Sequence, residues 1–129
     1  DLEWNLGISE NEILHVLIVD DNKINQMITK KVLEKKKIQC TIIDNGKDAV
    51  EAVKNNNFDL ILMDVHMPEM SGIEATQLIR KFNQKIPIIA LTAVSIEDNL
   101  DEFLEIGFND VIPKPFQTDV FFEKIYNSI

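Results

Sequence analysis

Short apolar, β-branched runs alternate along this chain with segments whose apolar residues recur every three or four positions. No other feature limits the fold so tightly. The runs are His15–Val19, Ile38–Ile43, Leu60–Met63, Pro87–Thr92 and Asp110–Ile112. The third is too brief for a helix of its own and suits a strand buried on both faces. It stops on Asp64, and Pro68 and Gly72 behind it force a loop and a fresh start. Between the runs, Ile24, Met27, Ile28 and Val32 keep helical spacing to about Lys36, with Asn22 as N-cap. Ala49, Val50 and Val53 do the same up to Asn55-Asn56-Asn57, and Ile73, Thr76, Ile79 and Arg80 to about Asn83. Ile96, Leu100, Phe103 and Leu104 form a fourth helical pattern stopped by Gly107. In the last, capped by Thr118, Phe121, Ile125 and Ile129 share one face, with Phe122 and Tyr126 beside it. Strands alternating with helices imply a parallel sheet, right-handed crossovers and helices on both faces. The expected fold is one doubly wound α/β domain of five strands and five helices, and 129 residues suffice for its core. It spans residues 14–129. Residues 1–13 carry no sustained period and read as a linker or the tail of a preceding element. The start at Asp1 rather than Met points to a piece of something longer.

Charge narrows the function classes. With 13 basic against 22 acidic residues the net charge is -9, which disfavours nonspecific nucleic-acid binding, a process driven by neutralising phosphates. No stretch approaches the length of a membrane span, so no membrane contact is expected of this domain. Cys40 is alone, which rules out an intramolecular disulfide or a cysteine metal site and leaves a buried structural thiol.

In a parallel sheet every strand ends on the same edge, so residues that close different strands become neighbours. Asp20 and Asp21 follow the first run, Asp64 the third, Thr92 closes the fourth and Lys114 follows the fifth. Ligands of open α/β sheets bind at that edge. Two like charges about 4 Å apart repel by roughly 4 kcal/mol at a surface-like dielectric, so three carboxylates need protonation or a divalent cation. Oxygen donors without a His or Cys cluster favour Mg²⁺. A carboxylate beside a metal, a hydroxyl and an ammonium is equipped for phosphoryl transfer, with Asp64 as nucleophile and Thr92 and Lys114 serving the phosphoryl oxygens. Taken singly, each residue has a plainer role: Asp20 and Asp21 as helix caps, Thr92 as a strand end, Lys114 as surface.

Four pieces together resemble the receiver domain of two-component response regulators: Val16-Leu17-Ile18-Val19-Asp20-Asp21-Asn22, Leu62-Met63-Asp64-Val65-His66-Met67-Pro68-Glu69-Met70-Ser71-Gly72, Ile89-Ala90-Leu91-Thr92-Ala93 and Lys114-Pro115-Phe116. The resemblance runs from about Leu14 to the end. It implies strand order 2-1-3-4-5, with Asp64 as phosphoacceptor. It also implies Mg²⁺ held by Asp21 directly, by Asp20 through water, by Asp64 and by the backbone carbonyl of His66. Thr92 takes the part of the switch hydroxyl and Lys114 of its ion-pair partner, and the Lys114–Pro115 peptide is expected cis. One position departs from the family: Val111 stands where receivers usually carry Tyr or Phe. Without a ring to swing inward, the signal must travel by other packing. His66 and Val94 are candidates for tuning the lifetime of the phosphoryl group, whereas His15 reads as structural.

Asp21-Asn22-Lys23-Ile24-Asn25-Gln26 and Val65–Met70 most resemble receivers fused to hybrid sensor histidine kinases. That implies a cytoplasmic setting, a histidine kinase as phosphodonor and a histidine phosphotransfer protein as the next acceptor. With the missing start and the linker-like Asp1 to Asn11, this resemblance favours an excised receiver module, with a free-standing single-domain regulator as the main competitor. Phe122, Tyr126 and the surface of the fourth helix are the expected partner or homodimer face. Three other classes compete. An aspartyl-phosphate phosphatase needs Asp-x-Asp spacing, whereas Asp20 and Asp21 are adjacent. In a flavodoxin-like cofactor binder that acidic pair would repel the phosphate its first loop must cradle. The third is an interaction module independent of phosphorylation, which Val111 keeps in play.

Overall fold

The computed structural model describes residues 14–92, 96–114 and 117–129, with only the backbone for residues 96–99. Residues 1–13, Val94 and the Lys114–Pro115 peptide, on which expectations were placed above, lie outside the described residues. The elements run β1 (His15–Val19), α1 (Lys23–Glu34), β2 (Gln39–Ile43), α2 (Gly46–Asn55), β3 (Leu60–Asp64), α3 (Gly72–Arg80), β4 (Ile88–Thr92), α4 (Ile96–Ile106), β5 (Asp110–Pro113) and α5 (Thr118–Ser128). All strand pairs are parallel, and the order is β2-β1-β3-β4-β5.

Side chains on a strand alternate between its faces, so a strand covered on both sides must be apolar throughout. That is the state of β3 and β4, buried along their whole length. Leu17, Val19, Ile61, Met63, Ile88, Ala90 and Val111 face one layer with Ala49, Val50 and Val53 of α2, Ala75 and Ile79 of α3, and Phe103 of α4. Val16, Ile18, Leu60, Leu62, Ile89, Leu91 and Ile112 face the other with Leu33 of α1 and Phe121, Phe122 and Ile125 of α5.

Three details differ from the sequence reading. Helix α1 exists where its spacing predicts, and Asn22 caps it by accepting from the Asn25 N–H at 3.1 Å. Most of its apolar stripe nevertheless faces water: Ile24 is 69% exposed, Met27 57% and Ile28 49%, while Val32 packs against the core and Thr29 and Leu33 are buried. Thr118 does not cap α5. It is the first helical residue, and the N-cap is Gln117, with no side-chain cap bond. Phe122 lies in the core and stacks with the half-buried Tyr126, so it offers no partner face, whereas Ile129 at the chain end is exposed.

Candidate functional site

Asp20 follows β1, Asp64 is the last residue of β3, Thr92 the last of β4, and Lys114 follows β5. Parallel pairing brings these ends to one edge. Asp64 stands opposite Leu91, and Thr92 opposite Pro113. The Lys114 N–H donates to the Thr92 carbonyl at 2.8 Å, which ties the exit of β5 to the end of β4.

The carboxylates expected to share an ion do meet. One oxygen from each of Asp20, Asp21 and Asp64 lies within 4.8 Å of the others. Asp20 is wholly buried and Asp64 nearly so, while Asp21 is exposed at the mouth. The Lys114 ammonium points at the pair, 3.4 Å from Asp20 Oδ2 and 3.3 Å from Asp64 Oδ1. The Asn22 N–H donates to Asp20 Oδ1 at 2.9 Å, and the His66 N–H to Asp64 Oδ1 at 3.3 Å. Thr92 is buried on the same edge, and the His66 side chain is exposed beside the site.

Burial pushes the Asp64 carboxyl above its ordinary range; the Lys114 ammonium pulls it back, and the Asp20 carboxylate adds to the rise. An acid held this way gains from any cation arriving beside it. Hard oxygen donors at short mutual distance, with no imidazole or thiolate in the set, fit Mg²⁺.

Two residues contribute in ways the residue pattern does not specify. Gly72 does more than restart the chain after the Pro68 loop. A Cβ there would stand 2.1 Å from the Asp64 carbonyl oxygen, so only glycine lets α3 begin this close to the end of β3. Gln26, at the end of the first turn of α1, donates from Nε2 to the Asp20 carbonyl at 2.5 Å. Elsewhere, burial raises the half-buried Cys40 thiol to about 11, which keeps it protonated and inert. His15 is structural as expected, its Nε2 within 2.6 Å of Thr41 Oγ1 and its ring edge against Phe58.

The profile of the response regulator receiver domain matches residues 16–126. Two-component response regulator 24 of Arabidopsis thaliana is 41% identical, over 79% of this chain and 74% of its own length. Hybrid signal transduction histidine kinase G of Dictyostelium discoideum is 40% identical over 85% of this chain, which spans only 3% of that protein. The chain spans 20% or less of most of the curated relatives it matches. Among solved structures, the receiver domain of sensor histidine kinase PA1611 from Pseudomonas aeruginosa is 31% identical (TM-score 0.80, 90% of this chain and 96% of that one). It carries a magnesium ion coordinated in its active-site cleft. The receiver of Saccharomyces cerevisiae Ssk1, crystallised with the phosphotransfer protein Ypd1, is 36% identical (TM-score 0.80, 88% of this chain and 86% of that one). This chain belongs to the receiver domain family of two-component signal transduction. Receiver domains hold Mg²⁺ in this acidic site. Among the described residues no helix is long and apolar enough to cross a membrane.

Proposed function

We propose that Asp64 accepts a phosphoryl group from a phosphohistidine, in a site where Asp20, Asp21, Asp64 and the His66 backbone carbonyl hold Mg²⁺. The observation that carries this is the clustering of three carboxylates at one strand edge, two of which, Asp20 and Asp64, also meet the Lys114 ammonium. An Asp64 oxygen attacks phosphorus as the P–N bond breaks, and the bond's electron pair returns to the departing imidazole. Bound Mg²⁺ neutralises charge on the phosphoryl oxygens. Lys114, already 3.3 Å from Asp64, is the counter-charge for a phosphoryl oxygen once the carboxylate is phosphorylated, and the Thr92 hydroxyl serves another.

The donor is a protein, and it must cover the rim to reach a carboxylate this deeply set. The exposed Ile24, Met27 and Ile28 begin one turn from Asp21 and supply apolar surface for that contact. Burying each of these side chains contributes about 1–2 kcal/mol after the exposure already lost is discounted. Likeness to receivers of hybrid kinases and to a receiver that pairs with a phosphotransfer protein supports a place in a multistep phosphorelay. In that setting residues 14–129 are the receiver unit, residues 1–13 join it to a preceding element, and the unit works in the cytoplasm.

The test is to incubate the protein with Mg²⁺ and acetyl phosphate and weigh it. One acid-labile phosphoryl group is expected, lost in Asp64→Asn and absent when Mg²⁺ is chelated. Labelling that persists in Asp64→Asn refutes the assignment.

A further inference from the structure

We infer that Gln26 is a positioning residue for the metal site, aiming Asp21 through the peptide bond that joins it to Asp20. The inference rests on the Mg²⁺ reading above and adds a residue to it.

The two acids are held very differently. Asp20 is gripped from several directions: its N–H donates to the Ile43 carbonyl at 3.1 Å, Oδ1 accepts from the Asn22 N–H, and Oδ2 faces Lys114. Asp21 has none of this. Among the described residues nothing hydrogen-bonds its carboxylate or its N–H, and the side chain is exposed. Its direction therefore follows from the backbone that carries it. The Asp20–Asp21 peptide is fixed at one point, where Gln26 Nε2 donates to the Asp20 carbonyl at 2.5 Å.

The clamp itself has a firm base. Gln26 lies in the regular part of α1, where its own N–H closes the first helical bond, to the Asn22 carbonyl at 3.0 Å. The side chain thus reaches back from a fixed platform to the loop that precedes its own helix. It does so along the wall of a groove it shares with Asp21, Lys23, Asp44 and Asp48. An amide suits the place. Its N–H₂ donates to the carbonyl without a positive charge beside a cation site. A partner that orients a ligand without touching the metal changes affinity by about ten- to a hundredfold when removed.

Gln26→Met keeps length and bulk but removes the donor. Calorimetric titration with Mg²⁺ is expected to show about tenfold weaker binding than wild type. The Mg²⁺ concentration giving half-maximal phosphorylation by acetyl phosphate should rise in parallel, while the rate at saturating Mg²⁺ stays within about twofold. A role confined to stability would lower the maximal rate and leave half-saturation alone, and that result overturns the inference. So does a Gln26→Met dissociation constant within about twofold of wild type. Gln26→Glu answers the same question if the first variant misfolds. Charge alone predicts tighter Mg²⁺ binding, whereas positioning predicts weaker binding, because a carboxylate cannot donate to the Asp20 carbonyl. Tighter binding by that variant also overturns the inference. If wild type itself binds no Mg²⁺, the metal reading falls first, and the two failures are told apart.

Discussion

Replacing Asp64 by its neutral isostere should stabilise the metal-free fold. At an effective dielectric of 20, the Asp64 charge is repelled by Asp20, within 4.8 Å, with about 3.5 kcal/mol. Asp21 repels it by less, since water screens that exposed group. Lys114, at 3.3 Å, attracts it with about 5 kcal/mol. These contributions nearly cancel, so burial decides the sign. Removing a carboxylate from water has an effective penalty of several kcal/mol when complete. The N–H that His66 donates to Asp64 Oδ1 offsets part of that penalty, and about 1–2 kcal/mol remains. Asp64→Asn should therefore gain about 1–2 kcal/mol, or roughly 4 °C in melting temperature per kcal/mol for a domain of this size.

The pH dependence follows from the direction of the shift. Asp64 titrates above its ordinary value of 3.8 in the folded protein, so the folded state holds the proton more tightly than the unfolded state. The penalty for ionising it is absent below the unfolded pKa, grows as pH rises through the folded pKa, and is complete above it. The variant's advantage is thus greatest at neutral pH and narrows on acidification. Saturating Mg²⁺ should stabilise wild type more than Asp64→Asn, because the ion binds the folded state and loses a ligand in the variant. Urea unfolding in chelator and in Mg²⁺, at neutral and acidic pH, measures all of this. If Asp64→Asn proves less stable than wild type in chelator at pH 7, the sign assigned to burial is wrong.

Three further perturbations separate the parts of the site. Gly72→Ala improves helix propensity by about 1 kcal/mol, yet its Cβ would stand 2.1 Å from the Asp64 carbonyl, so the backbone must give way by about 1 Å. Net destabilisation of about 1–3 kcal/mol is expected, with phosphorylation slowed by up to about a hundredfold; a variant that melts higher and labels normally would remove that account of Gly72. Ile24→Ser combined with Met27→Ser should slow transfer from a histidine phosphotransfer protein by about tenfold or more and leave labelling by acetyl phosphate unchanged. Equal loss with both donors would assign those residues to the fold instead. In His66→Asn the phosphoryl half-life should change several-fold, read from loss of the added mass after the donor is removed, and an unchanged half-life dismisses the exposed imidazole as a gate for water.

What could be read from the residues and what could not divide along physical lines. Strand positions were legible because β3 and β4 are covered on both faces and admit only apolar side chains up to the edge where Asp64 and Thr92 begin. The site was legible because parallel strands must end together. The facing of α1 was not, because water and core are told apart only by what packs alongside. Ile24, Met27 and Ile28 carry the same spacing as a core stripe, yet the sheet accepts Thr29 and Leu33. Gly72 and Gln26 were illegible for a similar reason, since both act on the backbone of another residue and have no partner in sequence spacing.

Val111 shows the limit from the other side. Its substitution for an aromatic was visible at once, and its consequence lies in packing. The side chain is fully buried among the layer that includes Phe103 and Phe108, whose rings meet edge to face. Its carbonyl accepts from the Lys124 ammonium at 2.7 Å, and the same ammonium pairs with Asp110 at 3.1 Å, which fastens the start of β5 to α5. A β-branched side chain in that setting has essentially one rotamer and no path between inner and outer positions. Movement at Thr92 is instead tied to the exit of β5 through the backbone, where the Lys114 N–H donates to the Thr92 carbonyl at 2.8 Å. At its far end, α4 closes on Gly107, whose carbonyl is held by Arg80 of α3 at 2.8 Å. Phe103 of α4 packs in the same layer as Val111, so a shift of this helix bears directly on β5.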